Sequence, residues 1–170
     1  MDRSNVERVK TAVHSPLIYD EYNSTLTINQ VNCYAHAIGA TSLHMGIRIG
    51  DISGKKPITQ AYFSDEEVES LFLMDLAKLD LQCEKKYMPN PANWLSNLKL
   101  APNAIIVLLF VDHNGDGSIR DFHFWRCDHE MGLSEKRPRQ RLSLIDASEY
   151  SWPEGELTHF VGMYLIKKKR

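Results

Sequence analysis

Three residues of this chain have the types needed to break an amide bond together: Cys33, His123 and Asp146. Cys33 opens the stretch "NCYAHAIGA", where Asn32 is a good helix N-cap and sets the thiol in a first helical turn. Free backbone N–H groups and the positive end of the helix dipole favour the thiolate there, and the thiolate is the nucleophile. His123 lies in "RDFHFWRC", an aromatic-rich strand pattern. On that strand His123, Trp125 and Cys127 share one face, and Phe122 and Phe124 share the other. A helix-borne thiol needs a base from a facing element, and the base needs a third group to fix its tautomer. Asp146, in "LIDAS", ends the next predicted strand and fits that third place. Trp125, beside the base, is a candidate substrate contact.

An oxyanion hole would use the Cys33 backbone N–H and a side-chain amide from just upstream, for which Gln30 and Asn29 are the candidates. His36 is a rival base, three residues after Cys33 on the same helix face, with no orienting partner in view. His14, His44, His113, His129 and His159 fall in no defensible constellation. Cys127 is mid-strand, and Cys83 follows the end of a long helix. Each type also has an ordinary role. Most free cysteines are small buried apolar residues, and a lone histidine is more often a core residue than a base.

"VDHNGDGSIRDFHFW" invites a second chemistry, because Asp112, Asn114, Asp116, Gly117 and Ile119 fall at EF-hand positions. The loop's twelfth position requires a bidentate carboxylate, and here it is His123, flanked by strands and not helices. The stretch reads instead as a hairpin turn that delivers His123. No metal site and no cofactor are expected.

The elements that must position these residues follow from periodicity. Residues 2–13 read as a short polar helix or a loose arm, "STLTINQ" as a strand, and residues 46–60 as a Gly- and Pro-punctuated loop. In "FSDEEVESLFLMDLAKLDLQ", Ser64 and Glu67 form a capping box and Phe63 and Val68 are spaced for a hydrophobic staple. Val68, Leu71, Phe72, Leu76 and Leu79 give a helical stripe. After Pro102, "AIIVLLFV", "RDFHFWRC", "RLSLIDA" and "FVGMYLIK" are strand candidates. Helices followed by an antiparallel sheet indicate an α+β domain.

The 170 residues suit one domain, 1–170, with a real core. A net charge of −2 gives no field that would draw the molecule to nucleic acid or an anionic membrane. Three cysteines without a CxxC argue for a reducing compartment. No apolar run is long enough for a signal peptide or a membrane span. That fits a cytoplasmic protein, and an effector exported by a specialised secretion system would look the same. The basic run "EKRPRQR" reads as a solvated loop near the proposed site, and "KKKR" as a solubilising end.

"NCYAHAIG", "DFHFWR" and "IDAS" together resemble a group of largely uncharacterised bacterial proteins. Those carry NCYxYA, then D-[FY]-H-[FWY]-[YW]-R, then DAS, and are similar to papain-like cysteine peptidases. The resemblance runs in order through about residues 29–150, and "GDISGK" (50–55) echoes the group's loop after the cysteine. It implies a papain-like, NlpC/transglutaminase-like α+β fold, with an N-terminal helix carrying Cys33 packed on an antiparallel sheet. It implies Cys33 as nucleophile, His123 as base and Asp146 as the orienting residue. The chain departs from the group at His36, where the group has Tyr, and in "LSEKRPRQ", where the group reads like WSHKPG. The expected activity is that of a thiol-dependent hydrolase, a protease or deamidase, or an acyl transferase of the transglutaminase kind. Its substrate would be a protein or peptide amide. The alternative is a binding or immunity-type module that keeps such a scaffold without turnover.

Overall fold

The computed structural model describes residues 1, 3–12, 29–40, 46–55, 64–87, 99–129, 132–146 and 157–168. Its centre is a six-stranded antiparallel sheet. The strands are β1 (Leu81–Lys86), β2 (Ala104–His113), β3 (Ile119–Asp128), β4 (Gly132–Lys136), β5 (Leu142–Leu144) and β6 (Thr158–Lys168). They lie side by side in the order β1-β6-β2-β3-β4-β5. The described helices are few and mostly short: α1 (Arg3–Ala12), α2 (Cys33–Ala37) and α3 (Asp65–Lys78).

β2 is apolar at every position up to Val111 because it is central and covered on both faces. Ile105, Val107, Leu109 and Val111 meet the helices together with Val6, Val9, Tyr34, Val68, Phe72 and Leu76. Ile106, Leu108 and Phe110 face the other way, onto Trp125, Cys127, Leu133 and Met163. β3 alternates as its pattern requires: Phe124 is in the helix-side core with Phe122 packed on it, and Trp125 and Cys127 are in the opposite one.

The papain-like arrangement expected from the sequence is not what forms. A sheet dominates the fold, and the N-terminal helix, α1, is ten residues long and does not carry Cys33. Cys33 begins the five-residue α2. Two strands also go beyond the expected set. β1 starts directly after α3 because Asp80 takes a left-handed φ of 58°, which aspartate tolerates, so the helical pattern stops at Leu79. β4 runs into the start of the segment read as a basic loop, and its Lys136 is buried.

Other local readings hold. Ser64 and Glu67 cap α3 reciprocally, and β2 and β3 are joined by a turn at 114–118. α1 is a helix, burying Val6 and Val9. Phe63 of the expected staple, and most of the expected strand at 24–30, lie outside the described residues. Asn29 and Gln30 are helical. Among the described residues no helix is long and apolar enough to cross a membrane.

One polar residue interrupts the apolar face of α3. Asp75 is fully buried and accepts hydrogen bonds from Tyr34 Oη (2.9 Å), Gly50 N (2.7 Å) and Ser53 N (2.7 Å). Burial pushes its carboxyl up, and those same donors pull it back. Removing the acceptor would strand three donors, two of them buried and each of those a cost of about 1–3 kcal/mol. Asp75→Ala is therefore expected to lose about 3 kcal/mol or more in urea unfolding. Tyr34→Phe, which removes one donor and leaves the others paired, should lose about 1 kcal/mol.

Candidate active site

Asn32 begins the site. Its side chain caps α2 by accepting from Ala35 N (3.0 Å), and it holds the following loop by donating to Ile47 O (2.8 Å). Tyr34, fixed by Asp75, stacks on Phe124 of β3 with ring centroids 5.2 Å apart. These restraints press the start of α2 against β3.

The thiol meets β3 at its edge. β4 pairs with β3 only from Trp125 to Asp128, which leaves the stretch before it without a β4 partner. Cys33 Sγ takes that place, donating to the Phe122 carbonyl at 3.7 Å and lying close to the Phe124 backbone. In an antiparallel strand the carbonyl of residue 122 and the amide of residue 124 point to the same edge and bracket residue 123. The sulfur therefore sits beside the backbone of His123.

The His123 side chain rises on the Trp125 face, where its Nε2 lies 2.8 Å from Glu135 Oε2. Trp125 Nε1 donates to that same oxygen at 3.3 Å, and Arg137 Nε reaches the other at 3.3 Å. The hydrogen bond to His123 is the first cause holding the Glu135 carboxyl below its ordinary range. Among the described residues, Nδ1 of His123 makes no hydrogen bond, and none joins its ring to Cys33.

Of the sequence-derived triad, Cys33 lies against the β3 backbone at 122–124, and the His123 ring is held by Glu135. Asp146 is not the carboxylate of His123: it is exposed and follows β5, with β4 between β5 and β3. Two strand spacings are about 9.5 Å, too far for a direct contact. Glu135 fills the place because it is paired with Trp125 across the β3–β4 ladder and shares the His123 face. It escaped the sequence reading because it stands in a charged run that looks like loop.

Trp125 is 1% exposed and packs on Phe110, so it supports Glu135 and is not a substrate contact. Gln30 and Asn29 are exposed, and the amide that organises the cysteine helix is Asn32. His36 is buried, with Nε2 on Ser134 Oγ (3.2 Å) and its carbonyl accepting from Arg126 (3.2 Å). Burial, then the Arg126 and Lys136 charges, hold it well below the usual histidine range, and its hydrogen bonds tie it to β3 and β4.

The calcium-like residues are engaged in the turn itself. Asp112 accepts from Thr158 (2.5 Å) and Arg120 (3.2 Å), while Ser118 takes up both Asp116 (2.6 Å) and Asn114 (2.8 Å). Next to that turn, however, Asp65, His113 and His159 converge with ligand atoms within 4.8 Å of one another. No spacing pattern marks this group, since His113 and His159 lie 48 and 94 residues from Asp65 along the chain.

No protein-family model matches the chain, and no solved structure matches it. Among curated proteins the chain is similar to an uncharacterized protein of Acanthamoeba polyphaga mimivirus, 25% identical over 180 residues. The match covers 95% of this chain and 19% of that much longer protein.

The helix start does not activate the thiol at rest. Burial is the larger effect and the Asp121 carboxylate adds to it, pushing Cys33 up to about 12 against the nearby backbone groups of Phe124, Tyr34 and Cys33. Burial pushes Cys127 up to about 12 and the half-buried Cys83 to about 11. Limiting iodoacetamide on the folded protein is therefore expected to label Cys83 first, read by peptide mass mapping. Preferential labelling of Cys33 would reveal a thiolate that this resting geometry does not produce.

The Glu135 carboxyl is lowered on folding, so its contribution to stability is complete above its unfolded pKa, about 4.3, and fades as pH falls through the lower folded value. The stability gap between the parent and Glu135→Gln in urea unfolding should be larger at pH 6 than at pH 3. A gap that does not change with pH would mean that the His123–Glu135 bond does not carry it.

Proposed function

We propose that the chain is a thiol-dependent hydrolase or acyl transferase acting on an amide of a protein or peptide, with Glu135 in the place expected for Asp146. The observation that carries this reading is the contact of Cys33 Sγ with the backbone around residue 123, where His123 is tied to Glu135 through Nε2 with Nδ1 left over. A base held by a carboxylate at one ring nitrogen has the other available for a nucleophile's proton.

The neutral resting thiol makes this a general-base reaction without a preformed ion pair. His123 Nδ1 takes the thiol proton as Sγ bonds to the substrate carbonyl carbon. Glu135 stabilises the imidazolium by accepting from Nε2. The proton then passes to the leaving amine, and the C–N bond breaks to leave a thioester. Water or an amine acceptor resolves the thioester. Backbone N–H groups at the start of α2 are the donors nearest the developing oxyanion.

A second reading, a binding module without turnover, is favoured by one observation: the thiol donates to the Phe122 carbonyl and is pushed up to about 12. The match to about a fifth of a longer protein also suits a module that works beside others.

A peptide carrying an electrophile at the scissile amide, such as a peptide vinyl sulfone, separates the two. Enzyme chemistry predicts a single adduct on Cys33 in the folded protein, formed at least about 100-fold more slowly in His123→Ala. Glu135→Gln should slow it about 10-fold, and Asp146→Asn should leave it unchanged. Modification of Cys33 only after unfolding, or at equal rate in His123→Ala, would leave the binding-module reading standing.

A further inference from the structure

We propose that Asp65, His113 and His159 form a binding site for a divalent transition-metal ion of the zinc class, separate from the Cys33–His123 site. The three come from three elements. Asp65 is the first residue of α3, His113 the last of β2, and His159 the second of β6. His113 Nε2 lies 2.8 Å from Asp65 Oδ1, and His159 Nδ1 lies 3.0 Å from Asp65 Oδ2. The two imidazole rings are 4.5 Å apart.

The way His113 is held points to an ion. Its Nδ1 lies 3.1 Å from the Gly117 carbonyl, which only accepts, so that nitrogen carries the proton. That leaves Nε2, 2.8 Å from Asp65 Oδ1, as the ring atom turned into the cluster and the one that would ligate an ion. A backbone carbonyl on the far nitrogen is also the usual way a metal-ligating histidine is oriented.

Spacing and ligand chemistry agree. Zinc bonds of 2.0–2.1 Å in a tetrahedron put ligand atoms about 3.3 Å apart, so small side-chain rotations suffice. Two imidazoles with one carboxylate suit zinc and its neighbours, whereas calcium and magnesium prefer all-oxygen sets. The His159 side chain is 53% exposed, which leaves solvent access for a fourth ligand. An ion here would fasten the start of α3 to the ends of β2 and β6, on the helix-bearing face of the sheet, whereas the His123 ring is on the other.

The test is metal titration of the full chain after treatment with a chelator, using Zn²⁺ by calorimetry and Co²⁺ by visible absorption. The expected result is one equivalent of Zn²⁺, bound at least ten-fold more weakly by His159→Ala and by Asp65→Asn. The Co²⁺ complex should lack a thiolate-to-cobalt charge-transfer band, which separates this site from the three cysteines. The exposure of His159 makes its variant the informative one, with circular dichroism confirming that it folds. Equal binding by parent and His159→Ala, a thiolate band, or no binding by the parent would overturn the proposal.

Discussion

The buried carboxylate of Asp75 is the constraint on which the rest of this structure depends. A charge taken out of water costs several kcal/mol unless donors surround it. Here the donors come from three separate pieces of chain: α3 carries the carboxylate, α2 supplies the Tyr34 hydroxyl, and the loop at 46–55 supplies two backbone N–H groups. None of these pieces can move without leaving a buried polar group unpaired. With Tyr34 held, its ring stacks on Phe124, and the preceding residue, Cys33, is brought to the edge of β3. The position of the thiol is thus a consequence of a polar bond formed on the far side of α2.

That same packing sets the chemistry of the sulfur. A helix start favours a thiolate, but five residues give a small dipole, and the 5% exposure of Cys33 removes the water that would solvate the charge. Burial wins, and the neighbouring Asp121 adds to it. Lys136, buried at the end of β4, lies near enough for its charge to be felt at Cys33 and works in the other direction. The balance is a neutral thiol beside the backbone of residue 123, whose ring is held by Glu135.

The sheet keeps two constellations apart. β2 and β3 present Trp125, Glu135 and the His123 ring on one face. The helices, Asp75, and the cluster of Asp65, His113 and His159 belong to the other. β2, buried on both faces, lies between them. The β2–β3 turn serves both, since it joins the strand bearing His123 to the one ending in His113, and its Gly117 carbonyl fixes the His113 ring.

Local rules of sequence were enough for the features that close within a few residues. The Ser64–Glu67 cap, the Asn32 cap, the turn at 114–118 and the core strands after Pro102 each depend on neighbours three to ten residues away, and each formed as its residues indicated. Residue types and a family resemblance singled out Cys33 and His123, and the thiol lies against the β3 backbone at 122–124. Strand order was not legible. Glu135 and Asp146 are both acidic residues after His123, and only the insertion of β4 between β3 and β5 decides which one reaches the imidazole. Asp75 stands on the apolar face of α3, and its place there is explained only when Tyr34, Gly50 and Ser53 arrive from elsewhere to satisfy it. His113 and His159 carry no spacing signal, because β2 and β6 bring them to Asp65 through long-range pairing. Sequence by itself determined α3, the strands after Pro102 other than β4, and the residue types capable of chemistry. Tertiary structure alone decided which of those residues meet, because contacts between distant segments are set by strand order and shared burial and leave no periodic trace in the chain.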